Sequence, residues 1–585
     1  MSFLSSRTAT SPEGVGRPVR RREDARLVRG RGRFSDDVSL PGQAFACFVR
    51  SPHAHALIGR IDATAALRGP GVLTVLTGAD ALADGLQPIP HRPVPSNPNE
   101  TPLRSRDGTP FFIAPHPPLP ADAARFAGEA VAMVVAETRA AAEDAAERVL
   151  VEWEPLPAVT ATADAARVGA PLVWKETTSN VCVDSIAGDA AAVDAAFARA
   201  AHVVALDTWV QRVTGVPMEP RAAVGAYDAA TGRYTLHAGS GGSQRQRGDL
   251  ASVLGVEESA VRVIAGDVGG NFGTRNSFYP EFALVAWAAR RVGRPVKWTC
   301  ERREALLTDY QGRDLVAHAA LALDAGGNFL AFRTTNTSNL GAHAASFIPL
   351  AKGVAVLPSV YHIPAVSMRG RAVLSNTSPT YPYRSADSGD YAAAQDRTVA
   401  LADWAGFEAR RSEARRRGRC RGIGVANYIE LNSGMPRERA EIAVRPDGRI
   451  AVVLGTLSAG QGHETVFPQL LAEWFDVGVD QVVMITGDTD RAPVGGGSHS
   501  GRSLRLGAVV MAKAADEIVA EGRRLAASLL EAAEADIEAK GRRFGVRGTD
   551  RFVDLFELAA RGPLRGAAEE TMSVPSFPYG CAVCE

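Results

Sequence analysis

Glycine-rich loops that follow strand-like segments are the parts of this chain best suited to binding chemistry. The first covers residues 266–273 in the stretch VRVIAGDVGGNFGTRN and holds four glycines. Glycine lets a backbone turn sharply and approach a ligand closely. The loop lacks the Lys-Ser/Thr of a P-loop, and Val268 stands where a dinucleotide fingerprint needs its first glycine. For this loop alone a plain structural turn remains the alternative.

Two further loops repeat the arrangement of strand, glycines and helix. Residues 460–462 precede a helix predicted to open at 463–465, and residues 495–497 precede a Ser/His/Arg cluster and a long helix. A helix N-terminus offers free backbone N–H groups and the positive end of a dipole, which suits an anion. Serine hydroxyls can donate to phosphate oxygens, and Arg502 could add positive charge. Three such loops predict one long anionic ligand, held at several points.

The elements that position these loops are both helical and extended. Residues 129–137 are predicted to form a buried strand, followed by a helix over 138–149 with Thr138 as its N-cap. Residues 223–239 have the alternation of a hairpin, and 279–293 have apolar residues at helical spacing. This mixture predicts the α+β class.

Composition excludes several classes of protein. The 585 residues carry 65 Lys+Arg and 65 Asp+Glu, so no global basic field argues for nucleic acid or a membrane surface. The basic run at 410–421 is predicted to be a solvated helix end. No segment is long and apolar enough for a membrane span, and the first residues lack the apolar region of a signal peptide.

The six cysteines do not form the pattern of a disulfide framework, a zinc site or an iron–sulfur cluster. Cys581 and Cys584 are a lone pair, which we interpret as a coincidence at a strand end. These observations together predict a cytoplasmic protein.

Several stretches together resemble one known family. They include FAGEAVAMVVAETRAAAEDAAERVLVEWEPLPAV, VPMEPRAAVGAYD, VRVIAGDVGGNFGTRN, YPEFALVAWAARRVGRPVKW and SAGQGHETVFPQLLAEWF. In these stretches the chain resembles the molybdopterin-binding large subunits of the xanthine dehydrogenase, aldehyde oxidase and aerobic carbon monoxide dehydrogenase type. The resemblance covers most of residues 17–585.

The resemblance implies a fold, a cofactor and partners. An N-terminal tail (1–17) would precede an α/β hammerhead domain (18–155), a first molybdopterin-binding domain (165–386) and a second, incomplete one (387–585). The cofactor would be molybdopterin cytosine dinucleotide with molybdenum, held by the pterin and by no protein metal ligand. FAD and [2Fe-2S] clusters would lie on a flavin-binding medium subunit and an iron–sulfur small subunit, in a dimer of heterotrimers. The substrate would be a small molecule, an aldehyde or N-heterocycle rather than carbon monoxide.

The resemblance also assigns residues by motif. Gln244 and Arg384 would act at the reacting centre as well as bind the cofactor, and Phe272 would lie beside the metal. The cofactor-binding residues would be Gln244, Gly269, Gly270, Phe272, Gly273, Arg384, Gln461, Gly462, His463, Glu464, Thr465, Ser498, His499 and Ser500.

The chain departs from the family in two places. After Arg384 a segment that the family carries is missing, and Ser385 stands where members that oxidise carbon monoxide have cysteine. The family's glutamate base, in a Gly-x-Gly-Glu context, does not occur in this chain, so the chain resembles a truncated form. Glu464 is the one stand-in, although a carboxylate at a helix N-terminus is stabilised there instead of poised as a base. The alternative function is an inactive scaffold that keeps the fold and the partner interface.

Overall fold

The computed structural model describes residues 12–91, 103–383, 391–429, 434–572 and 579–585. The strands, in chain order, are β1 (Ala44–Arg50), β2 (Ala56–Asp62), β3 (Val72–Thr77), β4 (Ala123–Ala124), β5 (Ala130–Ala136), β6 (Leu150–Pro155), β7 (Val181–Gly188), β8 (His202–Thr214), β9 (Ala222–Asp228), β10 (Arg233–Ala238), β11 (Val261–Ile264), β12 (Val296–Thr299), β13 (Gln311–Leu323), β14 (Phe329–Gly341), β15 (Ala365–Leu374), β16 (Gly424–Ile429), β17 (Arg437–Val444), β18 (Ile450–Leu454), β19 (Val482–Ile485), β20 (Ile537–Lys540), β21 (Arg543–Val546), β22 (Phe552–Asp554), β23 (Leu564–Thr571) and β24 (Tyr579–Cys584).

One α-helix precedes β1, and the others lie between the strands. They are α1 (Asp24–Leu27), α2 (Thr64–Leu67), α3 (Gly78–Ala83), α4 (Arg139–Ala146), α5 (Thr162–Ala165), α6 (Ala190–Ala198), α7 (Ser243–Leu254), α8 (Pro280–Val292), α9 (Arg302–Thr308), α10 (Ile348–Ala355), α11 (Tyr391–Leu401), α12 (Phe407–Arg416), α13 (His463–Phe475), α14 (Arg502–Leu529) and α15 (Leu555–Arg561). None of the helices in the described ranges is long and apolar enough to cross a lipid bilayer.

The local predictions agree with these elements. The buried strand is β5, and the helix after it is α4, where the Thr138 hydroxyl accepts a hydrogen bond from the Ala141 N–H at 3.1 Å. The predicted hairpin is the antiparallel pair β9–β10, and the predicted helix over 279–293 is α8. The basic run ends α12, as predicted, and the Cys581–Cys584 pair lies in β24, which agrees with its predicted place at a strand end.

The largest sheet crosses the boundary predicted near residue 155. Its seven strands follow the order β11-β10-β9-β12-β1-β5-β3. Strand β1 pairs parallel with β12, with Ala44 opposite Val296, so the N-terminal region and the next one share a single sheet. The structure has the predicted α+β class. The residue limits of the domains stay a prediction.

Two sheets carry helices at unusually close range. Gly225 of β9 faces the backbone of α8, where a Cβ on Gly225 would lie 2.5 Å from the Ala286 nitrogen. Likewise a Cβ on Gly566 of β23 would overlap the Ala514 carbonyl oxygen of α14. The second contact belongs to the four-stranded sheet β19-β18-β17-β23. These glycines let each helix pack directly on its sheet. The two helices, α8 and α14, follow the glycine loops at 266–273 and 495–497, so their packing fixes where those loops end.

A buried arginine joins these layers. Arg221 is fully buried, and its guanidinium donates to Asp309 (2.7 Å), Glu281 (2.6 Å) and Thr308 (2.5 Å). It also lies over the Tyr279 ring at 4.1 Å. A charge removed from water in this way is tolerated only when paired and hydrogen-bonded.

Arg221→Met should destabilise the protein strongly, because Asp309 and Glu281 would lose their main buried counter-ion. Removing one partner of a buried pair costs about 3–5 kcal/mol, so the first urea transition should move to clearly lower concentration. The control is Arg60→Met, since Arg60 is 68% exposed beside Asp62. A shift as small as that of the control would contradict the structural role of Arg221.

Candidate functional site

The three glycine loops and the turn before α7 meet at one residue, Ser498. We call residues 266–273 loop A, 459–465 loop B and 495–500 loop C. The Ser498 N–H donates to the Gly241 carbonyl at 2.6 Å, and the Ser498 carbonyl accepts from the Asn271 side chain at 3.5 Å. The Gln461 side chain donates to the Ser498 hydroxyl at 2.9 Å. Loops separated by about 190 residues in sequence therefore form one site.

The sheets bring the loops together because two strand ends lie side by side. Loop A follows β11, and loop C follows β19 through residues 486–494. The Ala265 N–H donates to the Gly487 carbonyl at 2.8 Å, and the Thr489 N–H donates to the Val263 carbonyl at 3.0 Å. These bonds tie the seven-stranded sheet to the four-stranded one at the base of the site.

The loops hold two side chains in a backbone conformation that normally suits glycine. Phe272 has φ +54° and Ser500 has φ +50°. Such residues cost about 1–3 kcal/mol each and cluster at ligand-binding sites. Phe272 is also 41% exposed, although it lies between Asn271 and Thr274, which are both buried. An exposed aromatic ring held at this cost points to contact with a ligand.

Three helix N-termini at the loops have no side-chain cap. The N-caps of α7, α13 and α14 are Gly242, Gly462 and Gly501, and the helices have 12, 13 and 28 residues. A capping side chain normally satisfies the first N–H groups, and it is replaced at ligand sites by an anion. Three uncapped termini around one point favour a ligand with several negative groups.

Buried polar atoms beside these termini also lack protein partners. Among the described residues the Ser243 hydroxyl, the Gln244 Oε1 and the His463 Nδ1 are buried with no hydrogen bond. Buried polar atoms are nearly always hydrogen-bonded, so such orphans indicate a partner outside the protein chain. Together with the uncapped helices, they fit the anionic pterin cofactor that the family resemblance implies.

Gln244 is buried in the first turn of α7, where its side-chain amide is anchored to the segment before loop C. Its Nε2 donates to the Ala492 carbonyl at 2.8 Å. In the same segment Gly241 lies against the other loops, and a Cβ there would overlap the side chains of Asn271 and Asn276. The role of Gln244 at the reacting centre stays a prediction, supported by its unpartnered Oε1 alone.

The other predicted residues fall in all three loops. Gly269 donates to the Glu219 carboxylate at 2.8 Å, while Gly270 and Gly273 adopt φ +113° and +101°. Gly273 packs against the Pro382 carbonyl, so loop A touches the start of the segment that carries Arg384. Arg384 itself lies outside the described residues.

The two histidines of the site are uncharged at neutral pH. Burial lowers the pKa of His463 to about 4, against the opposing effect of Glu23. Burial, with the nearby charges of Arg502 and Arg245, lowers the pKa of His499 to about 3. The His499 Nε2 bonds the Gly496 carbonyl at 3.0 Å, so His499 helps to close loop C.

Arg502 is not free to contact an anionic ligand, contrary to the prediction that it adds positive charge for one. The side chain is 1% exposed and pairs with Glu438 at 2.8 Å, which is also 1% exposed. Its guanidinium also donates to the carbonyls of Met435, Gly497 and Arg437. Burial raises the pKa of Glu438, although Arg502 acts to lower it. Arg502 therefore fixes loop C to β17 and is fully engaged in doing so.

A clamp formed by the N-terminal segment was not predicted from the sequence. Arg26 donates to both carboxylate oxygens of Asp267 in loop A, at 2.5 and 2.7 Å, and to Glu464 in loop B at 2.5 Å. Burial acts to raise the pKa of Asp267, but hydrogen bonds from Arg26 and Arg33 lower it overall. Arg26 also holds Glu464 in an ion pair. In the sequence, the only sign that this segment makes ionic contacts was the nearby charged run RRRED at 20–24.

Neighbouring residues extend this clamp along α13. The Thr465 hydroxyl donates to Glu23 at 2.7 Å and accepts from the Arg22 N–H at 2.9 Å. Gln469 donates to the Gly14 and Arg17 carbonyls, so the described end of the predicted tail also contacts this helix.

Comparison with domain families gives three matches. Residues 29–157 match the aldehyde oxidase and xanthine dehydrogenase a/b hammerhead domain. Residues 173–405 and 397–585 each match a molybdopterin cofactor-binding domain. All three loops lie in the second and third of these regions.

Characterised proteins resemble the chain over nearly its whole length. It is 31% identical to the gamma subunit of the 6-hydroxypseudooxynicotine dehydrogenase complex of Paenarthrobacter nicotinovorans, over 98% of this chain and 79% of that subunit. It is 28% identical to the carbon monoxide dehydrogenase large chain of Hydrogenophaga pseudoflava, over 92% of this chain and 75% of that one.

Solved structures show the same similarity. Quinoline 2-oxidoreductase from Pseudomonas putida 86 matches with a TM-score of 0.86 and 28% identity, over 98% of this chain and 81% of that one. The Cu,Mo-CO dehydrogenase matches with a TM-score of 0.86 and 27% identity, over 98% and 81% of the two chains.

Arg26→Ala should loosen loops A and B together. Partly exposed ion pairs are worth about 1 kcal/mol, so local opening should become roughly fivefold more frequent. Hydrogen–deuterium exchange should rise in 266–270 and 459–465 but not in 495–500, which Arg502 holds. Arg29→Ala is the control, because Arg29 is an exposed arginine on the next turn. Equal exchange in the two variants would contradict the clamp.

Acidification should destabilise the protein through His463. An unfolded histidine has a pKa near 6.5, whereas the folded value is about 4. Between these values the unfolded chain binds a proton that the folded chain excludes, so stability falls as pH drops through this window, by roughly 3 kcal/mol in total.

The measurement is the thermal midpoint between pH 7.5 and pH 5. His463→Gln should show a smaller fall than the wild type, because the titrating group is gone. His318→Gln serves as the control, since His318 is 53% exposed beside Asp207. The same pH dependence in the wild type and His463→Gln would show that His463 does not contribute.

Proposed function

Because this chain belongs to the family of molybdopterin-binding large subunits of molybdenum hydroxylases, we propose that loops A, B and C hold the cofactor as molybdopterin cytosine dinucleotide. Family membership makes the chain an oxidoreductase subunit of the xanthine dehydrogenase and carbon monoxide dehydrogenase type. When bound, the cofactor supplies two-electron oxidation of a small molecule with water as the source of oxygen. The convergence of three uncapped helices on Ser498 is the observation that carries this proposal.

Each loop would contact the cofactor with a different set of groups. The N-termini of α7, α13 and α14 would hold the negatively charged groups of the dinucleotide through backbone N–H groups. Gly269, Gly270 and Gly273 would let loop A approach the pterin, and Phe272 would lie beside the metal. Gln461, Gly462, His463, Glu464 and Thr465 would line the cofactor from loop B, and Ser498, His499 and Ser500 from loop C.

Two residues would act next to the reacting centre. Gln244 has an unpartnered buried Oε1 and one amide N–H beyond the one bonded to Ala492. Arg384 follows the segment that packs on Gly273, and a guanidinium can bind an oxygen-bearing group through two parallel bonds. Both remain proposals that substitution can test.

The substrate is proposed to be an N-heterocycle or an aldehyde. The names of several relatives point to N-heterocycles: nicotine 6-hydroxylase from Paenarthrobacter nicotinovorans is 29% identical, and quinoline 2-oxidoreductase shares the fold. Ser385 argues against carbon monoxide, because the family resemblance associates that substrate with a cysteine after the arginine.

Electrons are proposed to leave through partner subunits. The relatives include a subunit of a dehydrogenase complex and large chains of carbon monoxide dehydrogenases, which indicates a multi-subunit enzyme. We propose a flavin-binding medium subunit with FAD, an iron–sulfur small subunit with [2Fe-2S] clusters, and a dimer of heterotrimers. We also propose a cytoplasmic location, because all six cysteines are free thiols.

The test is to purify the chain with its partner subunits and analyse cofactor and turnover together. We expect molybdenum and cytidine monophosphate, released by acid, in equal amounts, and oxidation of N-heterocycles or aldehydes with a dye acceptor. Absence of both molybdenum and the nucleotide would overturn the cofactor proposal. Bound molybdenum without turnover would favour the inactive scaffold.

Gly462→Ala should lower the cofactor content of the purified complex. Gly462 has φ +78° and ψ +33° at the start of α13, so a methyl group adds strain and also crowds the proposed anion site. Gly255→Ala is a matched control, because Gly255 has φ +65° and ψ +36° at the end of α7 with no atom near its Cβ position.

Backbone strain of about 1–2 kcal/mol lowers the folding equilibrium by roughly 5- to 30-fold and should affect both variants alike. A larger loss of molybdenum in Gly462→Ala than in Gly255→Ala would therefore report on the site itself. Equal molybdenum content in the two variants would remove Gly462 from the cofactor site.

A further inference from the structure

Arg245 is a partly exposed guanidinium at the edge of the site, in contact with Tyr381 and Asp249. It lies in the first turn of α7, and its Nη1 donates to the Tyr381 hydroxyl at 2.5 Å. Its contact with Asp249 is long, 3.4 Å from Nε to the carboxylate, and the Arg245 side chain is 37% exposed. Arg221 and Arg502, by contrast, are fully buried and pair with carboxylates at 2.6–2.8 Å.

Tyr381 places this guanidinium beside loop A. The Tyr381 N–H donates to the Gln311 carbonyl at 2.7 Å, and Tyr381 is 4% exposed, so its position is fixed. The next residue, Pro382, touches Gly273 of loop A through its carbonyl. The Arg245–Tyr381 pair is therefore one residue away from the backbone that packs on the cofactor loop.

The charge of Arg245 also reaches loop C. Burial is the main cause of the low pKa of His499, and the positive charges of Arg502 and Arg245 lower it further. The charge of Arg245 also lowers the pKa of His91. Gly242, three residues before Arg245, lies against Gly497 of loop C. A partly exposed cation therefore lies beside residues that contact loops A and C.

We propose that Arg245, with the Tyr381 hydroxyl, binds a carboxylate of the substrate, so that the preferred substrates are N-heterocycles that carry a carboxylate group. This inference rests on the proposed function, because it places the substrate next to the cofactor loops. A guanidinium and a phenol hydroxyl can donate in parallel to the two oxygens of a carboxylate. The three uncapped helices already offer sites for the phosphates of the cofactor, so Arg245 is assigned to the substrate.

The experiment compares nicotinate with nicotinamide, which differ in the charge of one substituent. The wild-type complex should oxidise nicotinate with the higher kcat/KM. Arg245→Met should lower kcat/KM for nicotinate by roughly 10- to 100-fold, the range of a charge-assisted hydrogen bond, mostly through KM. The loss falls on KM because uniform binding of a remote group does not change the chemical step. The value of kcat/KM for nicotinamide should stay within about threefold, because nicotinamide has no carboxylate for Arg245 to bind.

Three variants keep the test specific. Arg245→Lys should recover part of the nicotinate preference, and Tyr381→Phe should lose part of it. Arg247→Met is the matched control, because Arg247 lies on the same helix and pairs with the exposed Glu258. For Arg247→Met, the ratio of kcat/KM for nicotinate to kcat/KM for nicotinamide should equal that of the wild type.

Several results would overturn the inference. They are equal kcat/KM for both compounds in the wild type, an unchanged ratio in Arg245→Met, and loss of molybdenum from Arg245→Met, which would assign the residue to the cofactor. Oxidation of quinoline but of neither pyridine compound would also overturn it while the proposed function stands. Absence of molybdenum from the wild-type complex would instead show that the proposed function has failed.

Discussion

The hydrogen bonds of Ser498 are the constraint on which the rest of the site depends. Its N–H, carbonyl and hydroxyl each bind a different segment, namely the turn before α7, loop A and loop B. Irregular backbone in the interior is tolerated only when its polar groups find partners. By supplying those partners to one another, the loops can remain partly buried although most of their residues lie outside sheets and helices. The glycines then leave the helix N-termini open.

Buried arginines provide the rigid frame around these bonds. Arg221, Arg275 and Arg502 are among the largest fully buried side chains of the protein. Arg275 donates to the Glu219 carbonyl, and the Glu219 carboxylate in turn accepts from the N–H groups of Gly269 and Ser35. Arg275 and Arg502 bind backbone carbonyls at loops A and C, and Arg221 binds carboxylates from two distant segments. Such pairs add little net stability, but breaking one is costly, so they specify a single arrangement of the loops.

Much of the fold could be predicted from the sequence, because local patterns determine local elements. The alternation in β9 and β10, the Ala-rich α4 with its threonine cap and the amphipathic α8 all agree with the structure. The contact between β1 and β12 could not be predicted, since pairing across about 250 residues leaves no periodic signal. The clamp by Arg26 was missed for the same reason. A polar segment near the chain start has the composition of a tail, and only its distant partners give it a fixed position.

The placement of charge separates the structural residues from those available to a ligand. Arg26, Arg221 and Arg502 are each paired with two carboxylates, or with one carboxylate and several carbonyls, so their positive charge is used within the protein. Burial keeps His463 and His499 neutral, and neither adds a formal charge beside the loops. The attraction for an anion then comes mainly from backbone N–H groups, which cannot be neutralised by a change of pH. A site built in this way can hold a large anionic cofactor through backbone N–H groups while Arg245 stays available for the substrate.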